Sequence, residues 1–522
     1  MKLAAIDIGS NSIHLIVAQI HRDGTYEIIN KAKDMVGLAS KTLANGYLSD
    51  EALERGLGCL RTYRTMIDAQ GVEAVMAVAT SAVREAANRE HFVELARTEC
   101  GVDVQVISGE EEARLIYLGA RGRIDWGGRR ALIVDIGGGS VEFIVGDPHK
   151  TDLCASLKLG VRRLSEEFLG DDPPVRAQLK ALRARIEGTL GDFTDHLRTY
   201  DFDFVVGTSG TLKNLAEIII RAEGRSQGHI HGEWADLRAL KKLGRQLAGM
   251  TMAKRAKVEG LDAKRTDTIV AGAQLMKYIL RAVGHDRYQV CDYALRDGLV
   301  VEYIDRHGDV LRKARLEPDI RRRSVMKLFR RFNQSGAHPK QVARLALSLF
   351  DQLQPLHKLD PADRELLEYA ALLHDIGYTI SARKHHKHSQ YMIQHGELYG
   401  FSAEEHQMIG MVARYHRGSG PRERHEPYRF LQPSDRQRVV RMTSLLRLAN
   451  ALDRSHTNTI ADVQATLNQG DAGLTLHLAT RSDPSLELWA LQRNATLFTE
   501  LFGLDIATTH AQAQYRDTPW IL

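Results

Sequence analysis

Apolar residues along the chain concentrate in short strand-like runs around glycine-rich turns, and one such pattern occurs twice. AIDIGSNSIHLIVA (5–18) aligns without gaps on VDIGGGSVEFIVG (134–146), 128 residues further on. Asp7 falls on Asp135, Gly9 on Gly137, Ser12 on Ser140, and His14 on Glu142. Each copy predicts strand, tight turn, strand, with glycine supplying positive φ in the turn. The period is too long for a solenoid, so duplicated lobes follow.

After each hairpin the period changes to that of alternating helices and strands. Residues 50–67 have helical spacing, AVMAVATSA (74–82) reads as a buried strand, and Arg84 to Cys100 as a helix. In the second copy, helices over 176–198 and 236–250 flank DFVVGTSGT (203–211), a strand whose glycine turn opens a helix near Thr211. These patterns predict α/β lobes over 1–124 and 125–308. Beyond 310 strands become scarce. Helical patterns over 322–333, 338–354, 361–374, 386–395, 403–414 and 436–452 predict an all-α domain at 309–458, with Pro318 and Pro339 marking its first boundaries. GLTLHLAT (473–480), a helix over 486–502 and a last strand predict a small α+β module at 459–522.

Length agrees, because 522 residues exceed what one core supports. Cys59, Cys100, Cys154 and Cys291 are scattered without metal-ligand or disulfide spacing, which points to a reducing cytoplasm. Asp7 and His14 interrupt the first apolar run and no small-residue cleavage site follows, which argues against a signal peptide, and no run is long enough to span a bilayer. A net charge of +5 demands no nucleic-acid partner. Basic residues nonetheless cluster at Arg321, Arg322, Arg323, Lys327, Arg330 and Arg331, in RKHHKH (383–388) and in YHRGSGPRER (415–424). A long polyanion track through Arg323, Lys327, Arg330, His385, His386, His388 and His416 is therefore expected.

Two glycine turns, each following an aspartate at a strand end, suit phosphate binding: backbone N–H groups cradle oxygens while carboxylates hold a cation or its waters. Ser10, Asn11 and Ser12 would grip from one lobe, and Gly137, Gly138, Gly139 and Ser140 from the other. A lone GGG would equally be a flexible hairpin; the duplication favours phosphate. Gly207, Ser209 and Gly210 form a third turn that opens a helix, either an anion site or a plain helix start. Ser108 and Glu111 have the spacing of a helix N-cap and its N3 residue, which gives Glu111 a structural role and leaves Glu112 free to point elsewhere.

The ordered set DIGSNSIHLIVA, ATSAVREAANR (79–89), ISGEEEARLIYLGA (107–120), VDIGGGSVEFIVG, GTSGTLKNLAE (207–217) and RTDTIVAGA (265–273) closely resembles the exopolyphosphatase and guanosine pentaphosphate phosphohydrolase family, within the superfamily of actin, sugar kinases and the Hsp70 chaperones. The resemblance implies two ribonuclease-H-like lobes closing over a cleft, Glu112 as the catalytic base, Arg84 on the terminal phosphate, and a homodimer. Asp7, Asp135 and Glu142 are then candidates for magnesium or its water shell, with Thr80, Asn88, Arg265 and Asp267 shaping the cleft. His374 and Asp375 in LLHDIGY resemble the pair that names the HD phosphohydrolases, and His338 their upstream histidine, which together would form a second metal site. Asn450 stands where the downstream aspartate is expected, and a neutral amide binds a divalent cation more weakly, which favours a structural or polyphosphate-binding role for this domain over a working metal site. The expected activity is processive removal of terminal phosphate from inorganic polyphosphate. The alternatives are cleavage of the 5′-phosphate of guanosine pentaphosphate, a kinase on the same scaffold, or a non-enzymatic sensor.

Overall fold

The computed structural model describes residues 1–21, 24–39, 46–225, 230–307, 319–332, 336–423, 425–468 and 473–512. The chain divides into two compact units, Met1–Leu316 and Glu317–Leu522. The boundary expected at 308/309, like Pro318 and Arg424, lies outside the described residues. Among the described residues no helix is long and apolar enough to cross a membrane.

The first unit contains two sheets built on one plan. In the first, β1 (Lys2–Ile8), β2 (Ile13–Ile20), β3 (Tyr26–Asp34), β4 (Ala74–Ala79) and β5 (Val104–Val106) take the order β3-β2-β1-β4-β5. In the second, β6 (Ala131–Ile136), β7 (Val141–Gly146), β8 (Thr151–Leu157), β9 (Phe204–Thr208), β10 (Trp234–Asp236) and β11 (Arg287–Val290) take the order β10-β11-β9-β6-β7-β8. The sequence echo is therefore an echo of topology. Asp7 lies across the ladder from His14, and Asp135 from Glu142. Every residue of β6 and β7 is buried, which accounts for near-continuous apolar runs instead of alternation.

Three layers of core hold these sheets. One packs the helix Asp50–Ala69 on the outer face of the first sheet through Leu53, Leu57, Leu60, Tyr63 and Ile67, the i, i+3/i+4 stripe that predicted it. Ser49 caps that helix by accepting from the Ala52 amide, and Asp50 and Glu51 complement its N-terminal dipole. A second core covers the outer face of the other sheet. The third lies between the sheets, where Leu115 and Ile116 of the helix Gly109–Arg121 meet Leu295 and Leu299 of the helix Leu295–Arg306. There the chain returns from the second lobe to complete the first. These two helices cross so closely that a Cβ on Gly298 would lie 1.8 Å from the Leu115 carbonyl oxygen, and one on Gly119 2.2 Å from that of Ala294.

Four local expectations need correction. Gly9, Gly137, Gly138 and Gly139 take no positive φ; glycine is needed there for close approach, since a Cβ on Gly139 would lie 2.3 Å from Ser81 Oγ and 2.8 Å from Ser10 Oγ. The helix expected from Arg84 to Cys100 is two helices, Ser81–Glu85 and Arg89–Cys100. The helix expected near Thr211 starts at Ser209, which itself has φ of 78°. The tail contains a strand the pattern hid, β12 (Ile460–Leu467), because a register shift between Ile460 and Asp462 breaks its alternation.

The second unit consists mainly of helices, Ile320–Phe332, Ala337–Gln352, Pro361–Leu373, His385–Gln394, Ala403–Arg414 and Pro433–Ala451 among them. β12 pairs with β13 (Gly473–Thr480), which pairs in turn with β14 (Asp505–Gln512). Leu474, Leu476 and Phe498 share one core with Val342, Leu349 and Leu445, so helices and sheet pack as a single body.

Candidate active site

The two glycine turns of the first unit have matching backbones. Gly9 N donates to Ser12 O at 3.0 Å, and Gly137 N to Ser140 O at 3.0 Å. The next carbonyls are also held alike. Ser10 O accepts from Ala39 N (2.7 Å) and Asn11 O from Gly37 N (2.9 Å), while Gly138 O accepts from Arg162 N (2.9 Å) and Gly139 O from Gly160 N (3.1 Å). With these carbonyls fixed, the turns are rigid before any ligand arrives. They also meet each other, because a Cβ on Gly138 would lie 3.3 Å from Ser10 Cβ. Ser10 and Ser140 are buried; Asn11 and Ser12 are half-buried.

The echo extends further than the hairpins. Thr80-Ser81 and Thr208-Ser209 are also 128 residues apart. Each pair ends a strand that lies parallel to its lobe's first strand and begins a helix. Sequence reading passed over Ser81, although the ATS and GTS triplets carried the signal. Thr208 Oγ1 donates to Asp135 Oδ2. Ser209 Oγ is buried without a hydrogen-bond partner at the N-terminus of the helix Ser209–Ala222, where an anion's oxygens would satisfy it. Gly207 lies inside β9, where a Cβ would strike the Tyr288 ring at 2.6 Å. Gly210 makes room for the Arg265 guanidinium, whose Nη1 lies 3.3 Å from Thr211 Oγ1.

Four acidic side chains converge on these turns. Glu112 follows the N-cap Ser108, whose Oγ accepts from Glu111 N at 3.1 Å. Glu111 itself turns away to a two-pronged pair with Arg114 at 2.8 Å. Glu112 turns inward, nearly buried, and takes a 2.8 Å hydrogen bond from Arg84 Nη1. Arg84 also donates to Ile107 O at 3.1 Å. Burial pushes the Glu112 carboxyl up to about 7; the Arg84 charge opposes that, and Asp7 and Asp135 add to it. Burial likewise lifts Asp7 to about 6, with Arg296 opposing and Asp135 adding, and lifts Asp135 to about 6 against its bond from Thr208. Glu142, hydrogen-bonded by Ser156 Oγ at 2.7 Å, rises well above the usual carboxylate range through burial and the charges of Glu112 and Asp135. Such mutual repulsion fits an oxygen-donor site for a hard cation. Among the described residues, the trios of potential ligand atoms lying within 4.8 Å of one another are elsewhere, in the second unit. His14, in the place of Glu142, is occupied otherwise: its ring nitrogens meet Ser12 Oγ at 2.7 Å and Arg296 Nη1 at 2.9 Å.

Cross-lobe contacts hold the turns together. Arg162 Nη2 donates to Asn11 Oδ1 at 3.0 Å while Asp267 of its own lobe steadies its Nη1 at 2.7 Å, and Arg163 clamps Glu85 at 2.9 and 3.0 Å. Thr80 precedes the short helix that carries Arg84, and Asn88 is structural, exchanging two hydrogen bonds of 2.9 Å with the Leu48 backbone.

The expected polyanion track does not form a single exposed path. His385 and His416 are 1% and 2% exposed and face Asp375, as do His338 and His374. Lys327 pairs with Glu397 at 3.3 Å, and neighbouring Arg321 and Arg322 pair with Glu365, Glu405 and Glu368. Arg323 and Arg330 lie on the same helix, half-buried and exposed; His386 and His388 are half-buried. Asp453, one helical turn beyond Asn450 and passed over in the sequence, brings its carboxylate within 2.8 Å of His338 Nδ1.

Comparison with known proteins covers both units. The model of the Ppx/GppA phosphatase family matches residues 16–307, and that of Ppx/GppA phosphatase, domain III, residues 320–495. A guanosine-5′-triphosphate,3′-diphosphate pyrophosphatase of Vibrio atlanticus is 31% identical over 479 residues, 91% of each chain. That of Vibrio vulnificus is 34% identical over 420 residues, 79% of this chain and 80% of its own. Among solved structures, an exopolyphosphatase from Cytophaga hutchinsonii is 28% identical, with a TM-score of 0.56 over 58% of this chain and 98% of its own. The Aquifex aeolicus Ppx/GppA family member is 30% identical, with a TM-score of 0.51 over 59% and 98%.

Proposed function

We propose that this chain, which belongs to the Ppx/GppA phosphatase family and is therefore a phosphoanhydride hydrolase, removes the terminal 5′-phosphate of guanosine-5′-triphosphate,3′-diphosphate. The observation that carries the mechanism is Glu112, buried at the meeting of two phosphate-sized turns and paired with Arg84. A carboxylate whose proton affinity is raised to about 7 is a far better base toward water than an ordinary one.

In this reading Glu112 orients a water and accepts its proton. The water oxygen bonds to the terminal phosphorus as the bridging P–O bond breaks, and orthophosphate leaves from one side and the shortened nucleotide from the other. Arg84 contacts terminal phosphoryl oxygens, where a guanidinium fork is better suited than an ammonium. Backbone amides of the two turns, Ser209 Oγ and the N-terminus of the helix Ser209–Ala222 hold the remaining oxygens. Asp7, Asp135 and Glu142 would hold magnesium, which supplies neutralising charge to the phosphates when bound. The helix-bound carboxylate in the water-activating position favours hydrolysis over transfer to an acceptor.

The proposed substrate is the alternative raised from the sequence rather than the polyphosphate expected there first. That expectation rested on the long helical extension, which a mononucleotide would not need; of the polyanion path expected along it, two histidines are buried and Lys327 is engaged with Glu397. The relatives that match 91% of the chain, helical unit included, carry the nucleotide name. Orthophosphate release from this nucleotide and from long polyphosphate, each with magnesium and no acceptor, tests the assignment. Higher kcat/KM on the nucleotide is expected; preference for polyphosphate would reverse the substrate but keep the chemistry.

A further inference from the structure

On the outer face of the second sheet, three helices bring together cations that no carboxylate balances. The helices Arg176–Leu197, Leu237–Ala248 and Ile269–Ala282 share one core through Leu182, Leu240, Leu243, Ala273 and Met276. They meet at Gln274, which is 3% exposed. Gly244 of the middle helix faces its amide, whose Nε2 lies 3.9 Å from where a Cβ would stand. The amide oxygen takes two cations at once: Arg183 Nε donates to it at 3.2 Å, and Lys277 Nζ donates to the same atom. Burial, and after it the charges of Arg183, Arg281 and Lys241, bring the half-buried Lys277 amine down to about 8, and no carboxylate opposes them.

Among the described residues none of these four cations forms an ion pair. Elsewhere on the same lobe arginines do take acidic partners, Arg198 holding Asp195 at 2.8 Å and Arg221 holding Glu217 at 2.7 Å. Ordinary structural roles account for only part of the cluster. Arg281 stands in the last turn of its helix, where the negative end of the dipole suits a cation. That dipole explains neither Arg183 and Lys241, which come from other helices, nor a lysine amine gathered among like charges, which costs stability. An anion seated between the three helices removes the repulsion and gives the N–H groups acceptors.

We propose that Arg183, Lys241, Lys277 and Arg281 form a second anion site, outside the catalytic cleft, that takes a phosphate-type anion carrying at least two negative charges. Two guanidinium forks and two ammonium groups match the several oxygens of such a group and exceed what one carboxylate could fill. Lys241 and Lys277 are half-buried while Arg183 and Arg281 are exposed, so the charged end of the anion sits inward and anything attached to it lies in solvent. The site is separate from the cleft: Lys277 is more than two helical turns beyond Ile269, roughly 12 Å along the axis from the end that carries Asp267. Free orthophosphate, pyrophosphate and the diphosphate of a nucleotide share this chemistry.

Trace acetylation of the full chain at about pH 8, read lysine by lysine by mass spectrometry with chelator present, tests the site without reference to turnover, because only a neutral amine reacts. Saturating pyrophosphate should slow labelling of Lys277 at least about 5-fold and leave the exposed Lys180 of the neighbouring helix unchanged. Arg183→Gln and Arg281→Gln, both at exposed positions, should each weaken that protection. Labelling of Lys277 that pyrophosphate leaves unchanged, or protection equal in the parent and both variants, overturns the site. Orthophosphate and guanosine 3′,5′-bis-diphosphate, titrated beside pyrophosphate, identify the source as whichever protects at the lowest concentration. Since no hydrolysis is read, a preference of the cleft for polyphosphate would leave this result untouched.

Discussion

At the scale of single residues, the decisive contact is the 2.8 Å bond between Arg84 and Glu112. Replacing Glu112 by Gln keeps the shape and removes the base, so kcat should fall by roughly 10²–10⁴-fold with nucleotide binding retained, as read by equilibrium binding beside turnover. The pH dependence has a definite sign. Glu112 acts when ionised, so the rate should climb through an acid limb near pH 7 and level off above it. Arg84 opposes the upward push on Glu112, so in Arg84→Ala that limb should move to higher pH as well as the rate falling. A limb that stays in place would mean that a different group titrates. The inward direction of Glu112 was legible in the sequence because Ser108 caps the helix and turns Glu111 outward, whereas its role as base came from the family resemblance. The sequence could not identify Asp453 or the partnership of His385 with His416. Those residues lie on segments far apart in sequence, and only packing brings them to one carboxylate.

At the scale of elements, the glycines divide into two kinds that behave differently on substitution. A Cβ on Gly298 meets backbone, 1.8 Å from Leu115 O and 2.6 Å from Leu115 C, and neither helix can yield without opening the core between the sheets. Gly298→Ala should therefore cost more than about 3 kcal/mol, seen as a lower Tm or insoluble protein. A Cβ on Gly139 meets the Ser81 and Ser10 hydroxyls, which can rotate away, and Ser81 Cβ at 3.0 Å, from which the turn must shift by a few tenths of an ångström. Gly139→Ala should stay folded yet lose at least about 10-fold in kcat/KM, because the turn proposed to hold phosphate is displaced. The hairpins were legible because a buried strand pair needs a continuous apolar run and a close-packed turn needs small residues. The helix starts at Ser81 and Ser209 were less so: both lack a side-chain cap hydrogen bond, and the left-handed residue at the second is a serine where a glycine stands beside it.

At the scale of the whole molecule, the acidic cleft links stability to pH and cation. Asp7 and Asp135 ionise at ordinary carboxylate values when unfolded but near 6 when folded, so their contribution is fully present below about pH 4 and is lost as pH rises through about 6. On the proposed reading, in which these carboxylates hold magnesium, the cation should restore much of that loss. The magnesium increment in Tm is expected to be several degrees at about pH 8 and close to nothing at about pH 5, measured by scanning calorimetry against chelator. An increment independent of pH would remove these carboxylates from the cation site. Chain connectivity has a further bearing, on synthesis. The helix Leu295–Arg306 supplies part of the core beneath the first sheet, although it is translated after the entire second lobe. The first lobe to leave the ribosome is thus the last to be completed, and until residue 306 emerges the apolar side of the helix Gly109–Arg121 lacks its partner. Chaperone demand during translation should be concentrated in that interval.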